Sequence, residues 1–178
     1  MLVAHGTKGL GGKIRIDAQY IERRRRNVAR QLAFLRPRVG LESVVMEVGC
    51  GDCTLASKLA GYVERVYALE VSEDLMGRLG GPPNLVRMLY DGVRIPVPEA
   101  SVELAFSGRL VLSQLPGICR ALRDGGWFWT TARGPASEIR AALRETGFSD
   151  VRFHVGGLRV PYLLALALDD TFRIAAIK

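Results

Sequence analysis

Short apolar runs alternate along the chain with segments in which apolar residues recur every three or four positions. The runs are six or seven residues long, which is typical of strands, whereas the wider spacing predicts helices. The predicted strands are Ser43–Val48, Arg65–Glu70, Leu85–Tyr90, Val102–Ser107, Trp127–Ala132, Asp150–Val155 and Thr171–Ile177. The predicted helices between them are Thr54–Leu59, Glu73–Leu79, Val111–Arg123 and Ala136–Thr146.

The alternation of strands and helices predicts an α/β fold, in which a doubly wound, mostly parallel sheet of seven strands carries helices on both faces. The last two strands are joined without a clear crossover helix, so we expect an antiparallel strand at one edge. The segment Pro161–Leu168 between them is almost wholly apolar, and it fits a buried helix, a further strand or an interface patch.

An N-terminal helix is predicted ahead of the sheet. Asp17 can cap its first turn, and the helical pattern continues to about Leu35. Ile21, Val28, Leu32 and Leu35 fall on one side of this helix, which therefore has a face suited to packing on the sheet.

The formal net charge of +7 over 178 residues is unevenly distributed. Residues 1–40 hold ten basic and two acidic side chains, whereas residues 41–178 hold fifteen basic and sixteen acidic ones. We expect residues 1–40 to form a basic arm and helix in the same domain as the ligand-binding unit of residues 41–178. The arm is either solvated, or a lid that presents Lys8, Lys13 and Arg15 to an anionic substrate, or a contact for RNA.

No apolar run reaches the roughly 18–20 residues that span a membrane, and the N-terminus lacks the apolar core of a secretory signal. The three cysteines form no disulfide framework. We therefore expect a cytoplasmic protein with reduced thiols and no membrane partner, and its oligomeric state stays open. Cys50 and Cys53 have the spacing of a zinc or redox pair, but the other candidate ligands, Cys119, His5 and His154, are scattered, so no metal is expected.

The most informative chemistry lies where the first predicted strand ends. Gly49 and Gly51 form a tight turn before a helix, and their missing Cβ atoms let a nucleotide-like ligand approach the backbone. Glu70, at the end of the second strand, can accept hydrogen bonds from both hydroxyls of a ribose, because its two oxygens match a vicinal diol. NAD-binding domains share this carboxylate, so Glu70 does not by itself choose the cofactor.

Three further features argue against NAD. Thr54 stands where the dinucleotide fingerprint has its third glycine. Glu47 would repel a pyrophosphate and suits a cationic amino-acid group. Asp91, after the third strand, is placed to accept a hydrogen bond from an adenine amino group. Together they predict a phosphate-free nucleoside that carries a positively charged amino-acid tail.

These residues, in this order and spacing, resemble the class I S-adenosylmethionine-dependent methyltransferases over roughly residues 40–178. The matching segments are Glu47-Val-Gly-Cys-Gly-Asp, Glu70 with Val71, Asp91 with Gly92, the loop and strand Ile95–Ser107, and Leu122-Arg-Asp-Gly-Gly-Trp-Phe-Trp. One departure is Cys53, where many members of the family have a third glycine.

The resemblance implies a binding site for S-adenosylmethionine (SAM), in which the first motif contacts the methionine part, Glu70 the ribose, and Val71 and Asp91 the adenine. The implied cofactor-binding residues are Glu47, Gly49, Cys50, Gly51, Glu70, Val71, Asp91, Gly92 and Ser107. It also implies enzymatic methyl transfer by in-line displacement, to which a protein contributes mainly orientation.

The catalytic residues stay unidentified. His5 and His154 fit structural or surface positions, and His5 is the better candidate for a base because the arm can fold over the site. A small-molecule acceptor is favoured, since no nucleic-acid domain is appended. The alternatives are RNA methylation through the basic arm, although the lysines of ribose methylation and the Pro-Pro motif of adenine methylation are missing, and a non-catalytic SAM-binding partner or sensor.

Overall fold

The computed structural model describes residues 18–76, 81–155, 158–166 and 171–178. The predicted arm, with Lys8, Lys13, Arg15 and the candidate base His5, lies outside the described residues. Within them, six α-helices are α1 Ala18–Leu35, α2 Thr54–Leu59, α3 Glu73–Met76, α4 Leu115–Ala121, α5 Ala136–Glu145 and α6 Tyr162–Leu166. Shorter 3-10 turns cover Arg36–Arg38, Ala60–Tyr62 and Leu112–Gln114.

Eight strands of the described chain form one sheet. They are β1 Val44–Val48, β2 Arg65–Glu70, β3 Leu85–Leu89, β4 Val102–Ser107, β5 Leu122–Arg133, β6 Asp150–Val155, β7 Leu158–Val160 and β8 Thr171–Ile177. Their order is β3-β2-β1-β4-β5-β8-β6-β7. Strands β1 to β5 are parallel, and β8 pairs antiparallel with both β5 and β6. The parallel strands therefore end at one common side, which we call the carboxyl edge.

The predicted architecture, a mostly parallel sheet with antiparallel pairing at one side, is confirmed. The predicted number of seven strands is one too low. The missed strand is β7, which pairs antiparallel with β6 at the edge of the sheet. It has three residues, too few to show the period-two alternation by which a strand is recognised in a sequence.

The two faces of the sheet pack against different helices. Buried residues such as Val45 and Trp129 lie on one face with those of α1 and α2, and we call it the α1 face. Their neighbours Met46 and Phe128 lie on the other face with the apolar residues of α4, α5 and α6, and we call it the α5 face. This alternation along each strand buries a core on both sides, as expected of a doubly wound sheet.

One predicted boundary is wrong by several residues. The helix predicted over Val111–Arg123 is a 3-10 turn followed by α4, which ends at Ala121, and β5 begins at once. Gly125 has a φ of 74°, and a Cβ on Gly126 would lie 2.8 Å from the carbonyl oxygen of Arg123. This two-glycine turn lets β5 shift its register against β4 and start earlier than predicted.

Helix α1 ends at Leu35 as predicted, with Val28 and Leu35 buried. Phe34 stacks on Trp129 with ring centroids 3.9 Å apart, so the end of α1 is fixed to β5. The ambiguous segment Pro161–Leu168 contains the helix α6, which has Ala165 buried and Leu163 81% exposed. No helix in the described part of the chain is both long and apolar enough to cross a membrane.

Candidate functional site

The glycine turn after β1 leaves its backbone open to a ligand. Gly49 and Gly51 have φ values of 76° and 57°, a conformation that favours glycine. The N–H groups of Gly49 and Cys50 donate to the carbonyl oxygen of Leu69 at 2.8 and 2.9 Å, which ties the turn to β2. A Cβ on Gly49 would meet no atom within 4 Å, so this part of the turn borders open space.

Cys53, the departure from the family pattern, has a backbone conformation that favours glycine. Its φ of 54° and ψ of 23° are left-handed, which costs a non-glycine residue about 1–2 kcal/mol. Its thiol is fully buried and hydrogen bonded to that of Cys50. This bond, together with burial, raises the pKa of the Cys50 thiol. The pair fills the inside of the turn, whose backbone at Cys53 is left-handed.

Glu70 holds the turn and the start of the next loop together. The residue is 6% exposed; its Oε2 accepts the N–H of Gly51 at 2.7 Å, and Oε1 accepts those of Val71 and Ser72 at 2.8 and 3.2 Å. A carboxylate has about four acceptor positions, so these bonds use three. A ribose hydroxyl fits the remaining position on Oε2, whereas a second hydroxyl would have to share Oε1 with the long bond from Ser72.

Glu47 is also buried, with 8% exposure, and its Oε2 accepts the N–H of Ala56 at 3.0 Å. Ala56 is the third residue of α2, so Glu47 caps this helix from the preceding strand. Asp52 completes the cap by accepting the N–H of Thr54 at 3.0 Å. Glu47 therefore has a structural role, and it also brings a second buried carboxylate to the carboxyl edge beside Glu70.

Asp91 and Gly92 form a tight turn after β3. The exposed carboxylate of Asp91 accepts the N–H groups of Arg94 and Val93 through Oδ1 at 2.7 and 2.8 Å, and these bonds lower the pKa of Asp91. Gly92 has a φ of 85°, and a Cβ there would lie 3.4 Å from Val71 Cγ1. Because Val71 is 57% exposed, the turn and this side chain form an open apolar surface beside a carboxylate.

Two residues that sequence reasoning missed support this surface. Gln114 is buried and donates through Nε2 to the hydroxyl of Tyr90 at 2.8 Å and to the carbonyl of Gly92 at 3.0 Å. The N–H of Tyr90 donates to the carbonyl of Glu70 at 3.2 Å. Burial, with the nearby charges of Glu70 and Asp91, raises the pKa of Tyr90 to about 12, so its hydroxyl keeps its proton. Neither residue has a sequence signal, because Gln114 lies in a different segment from its partners.

Ser107, at the end of β4, is buried and fixed by its neighbours. Its hydroxyl donates to the carbonyl of Arg109 at 3.0 Å and lies 2.7 Å from the hydroxyl of Thr130. His154 lies elsewhere, on β6, with its ring edge-on to Trp129 at a centroid distance of 5.4 Å. The predicted site residues before Ser107 therefore cluster at the carboxyl ends of β1, β2 and β3, and Ser107 follows on the neighbouring strand β4.

Three solved structures resemble this fold over most of the chain. A Haloferax volcanii protein in complex with the Trm112 methyltransferase activator has a TM-score of 0.67 at 15% identity, over 89% of this chain and 92% of its own. A SAM-dependent methyltransferase from Mesorhizobium loti has a TM-score of 0.64 at 16% identity, over 84% and 96%. Haemonchus contortus phosphoethanolamine N-methyltransferase 2, in complex with SAM, has a TM-score of 0.65 at 14% identity, over 84% and 52%.

Identities of this size establish the fold alone. The chain has the Rossmann-like fold of class I SAM-dependent methyltransferases, as the sequence resemblance predicted. No protein-family model and no curated protein matches the sequence.

Proposed function

We propose that the protein is a SAM-dependent methyltransferase that acts on a small or anionic acceptor. The observation that carries the proposal is the set of carboxylates at the ends of three adjacent strands, Glu47, Glu70 and Asp91, around a glycine turn that borders open space. A dinucleotide places phosphates at such a turn, where these carboxylates would repel them. SAM carries no phosphate and has a positive charge, so it fits this site.

Each part of the cofactor has a matching group in the chain. The glycine turn and Glu47 suit the amino-acid portion, because a buried carboxylate attracts its ammonium group. Glu70 suits a ribose hydroxyl through Oε2. Val71 and the Asp91-Gly92 turn suit the adenine ring, with an apolar side chain against its face and a carboxylate for its amino group. Cys50 and Ser107 adjoin these groups and complete the proposed contact set.

When bound, SAM supplies a methyl group that is activated by the positive sulfur to which it is attached. The chain then has to hold the cofactor so that the methyl group meets the acceptor in line, and such orientation can contribute about 7–11 kcal/mol. Glu47 and Glu70 are suited to this because each is already fixed by backbone N–H groups and needs no rearrangement to bind. The proposal assigns no general base to the chain.

The direct test compares two Glu-to-Gln substitutions in equilibrium binding of SAM. Glu70→Gln removes the charge of the ribose-binding group, and we expect the affinity to fall by about tenfold to a hundredfold. Glu99→Gln is the matched control, since Glu99 is exposed in the loop before β4, and it should leave the affinity unchanged. Equal affinities of Glu70→Gln and the wild type would contradict the proposed site.

Binding and catalysis are separated by a second measurement. A screen for methyl transfer from radiolabelled SAM to small-molecule, protein and RNA acceptors should show transfer that Glu70→Gln reduces. Tight SAM binding without transfer to any acceptor class would favour the alternative, a non-catalytic SAM-binding partner or sensor.

A further inference from the structure

A row of basic side chains crosses the antiparallel side of the sheet on the α1 face. Thr131 on β5 lies opposite Arg173 on β8, Arg173 lies opposite His154 on β6, and His154 lies opposite Arg159 on β7. Residues that are opposite in register project from the same face, and Trp129, two residues before Thr131, belongs to the α1 face. The side chains of Arg173, His154 and Arg159 are therefore direct neighbours across three strands.

Further arginines extend this row. Arg133 is exposed at the end of β5, on the same face and nearest to the carboxyl edge. Arg38 approaches from the end of α1, where its guanidinium lies 3.8 Å from the ring centroid of Phe34. Arg152, two residues before His154, is engaged with Asp150 through bonds of 2.5 and 2.8 Å. We call Arg38, Arg133, Arg159 and Arg173 the arginine surface.

His154 separates the two charged side chains of this row, since it lies opposite Arg173 on one side and Arg159 on the other. His154 lies between Arg159 and Arg173, and burial followed by these and the other nearby arginines lowers its pKa, which disfavours its protonated form. Its Nε2 is buried without a hydrogen-bond partner in the described structure. On the α5 face the same strands carry an apolar core that includes Phe153 and Phe172.

We propose that the arginine surface docks the phosphate backbone of a nucleic acid. Its charged groups are all arginines, whose planar guanidinium groups bind phosphate oxygens in pairs. Neighbouring strands are about 4.8 Å apart, so Arg173 and Arg159, which lie two strands apart on β8 and β7, present positive charges about 10 Å apart to a linear polyanion. Arg133 and the exposed Arg109 continue it to the carboxyl edge, where the proposed cofactor site lies. That the docked strand is the methyl acceptor rests on the proposed function, whereas the docking itself does not.

The distribution of apolar side chains favours a nucleic acid over a membrane. A membrane-binding surface combines basic and exposed apolar side chains on one face. Here Leu158 is 76% exposed, but it precedes Arg159 on β7 and therefore projects from the opposite face. Trp129 is 7% exposed and covered by Phe34, so it offers no open ring for stacking on a base. We therefore expect backbone contacts with little sequence preference.

The test measures fluorescence anisotropy of a labelled single-stranded RNA of about 20 nucleotides, with DNA of the same sequence alongside, between about 50 and 200 mM salt. Arg133→Gln combined with Arg159→Gln removes two exposed charges, so folding should be unaffected. Affinity for RNA should fall about tenfold or more at the lowest salt, and the slope of log affinity against log salt should decrease by about 1.4. The matched control combines Arg65→Gln, at the first residue of β2, with Arg144→Gln, on α5. It removes the same number of positive charges and should bind RNA as the wild type does.

Three results would overturn the docking proposal. The first is equal RNA binding by the two double variants. The second is competition with RNA, at equal charge, by a polyglutamate peptide or by vesicles of anionic lipid. The third is loss of RNA binding on deletion of residues 1–16 while the arginine variant binds normally. The same variants are titrated with S-adenosylhomocysteine, which should bind unchanged. A wild-type protein that binds S-adenosylhomocysteine but not RNA contradicts this proposal alone, and a wild-type protein that binds RNA but not S-adenosylhomocysteine contradicts the proposed function alone.

Discussion

The two ends of the sheet carry side chains of opposite charge near the same carboxyl edge. At the end formed by β1, β2 and β3, the carboxylates are Glu47, Glu70 and Asp91, and each accepts one or more backbone N–H groups. At the end formed by β5, β8, β6 and β7 lie Arg133, Arg173 and Arg159, and the carboxylate of Asp150 is paired with Arg152. In the described part of the chain, the side chains of Arg133, Arg159 and Arg173 make no hydrogen bond or ion pair.

The difference between the two ends is that the carboxylates are already held in position, whereas the arginines are available to a binding partner. The carboxylates are fixed in place, which suits a site that must hold a small cofactor in one orientation. Arg133 and Arg159 are exposed, which suits a surface that exchanges counterions for the phosphates of a flexible strand. We therefore expect the fold to provide a negative site for a cation and a positive surface for a polyanion, with Ser107 and Arg109 between them after β4.

The largest effect is expected from a substitution at the end of the sheet formed by β1, β2 and β3, which we call the fixed end because its carboxylates are held in place. Glu70→Ala removes three hydrogen bonds to a buried carboxylate and leaves the N–H groups of Gly51, Val71 and Ser72 without that acceptor. Unfolding in urea should show a loss of about 3 kcal/mol, and cofactor binding should disappear. RNA affinity of the folded fraction should stay as in the wild type. Retained stability would show that the carboxylate does not organise the turn.

The next effect concerns the open space at the turn. Gly49→Ala places a Cβ where nothing lies within 4 Å, and at a φ of 76° it adds backbone strain of about 1–2 kcal/mol. Calorimetry with S-adenosylhomocysteine should show affinity reduced by at least about tenfold, because the methyl group enters the space of the ligand. Gly61→Ala is the control. A Cβ at Gly61 also meets nothing within 4 Å, and Gly61 lies in the 3-10 turn after α2, away from the glycine turn after β1. Equal affinity in both variants would exclude close approach of the cofactor to Gly49.

At the end of the sheet formed by β5, β8, β6 and β7, which we call the arginine end, His154 makes the free energy of unfolding depend on pH. Its pKa is lowered by burial and by Arg159, Arg38, Arg152 and Arg173, whereas in the unfolded chain it binds a proton below about pH 6.5. The contribution to stability is therefore present above that pH and is lost as the pH falls below it. Urea unfolding at pH 8, 7, 6 and 5 should show a steeper loss for the wild type than for His154→Gln. Parallel curves for the two proteins would contradict the lowered pKa.

The smallest effect separates two contributions of Cys53 to stability, that of its backbone conformation and that of its side chain. Both Cys53→Ala and Cys53→Gly remove the buried thiol, but only glycine relieves the left-handed conformation. The glycine variant should therefore be the more stable of the two by about 1 kcal/mol, which is the reverse of their usual order in a helix. Thermal unfolding of the pair measures the difference, and a more stable alanine variant would show that the residue is not held in this conformation.

The fixed end of the sheet was largely predictable from the sequence, and the arginine end was not. Strand periodicity and the acidic residues at the strand ends suffice to bring Glu47, Glu70 and Asp91 together, because parallel strands end at one edge. The arginine surface depends on β8 lying between β5 and β6, and on β7, which is too short to show a pattern. The sequence order does not reveal which strands become neighbours there. Gln114 was missed for the same reason, since its partners Tyr90 and Gly92 lie on another segment.

The central claim is that the fixed end binds a phosphate-free, positively charged nucleoside. Isothermal titration of the wild-type protein with S-adenosylhomocysteine and, separately, with NADH tests it most directly. The expected result is saturable binding of S-adenosylhomocysteine at one site per chain and no heat of binding with NADH. Binding of NADH in the absence of S-adenosylhomocysteine binding would contradict the assignment of the site.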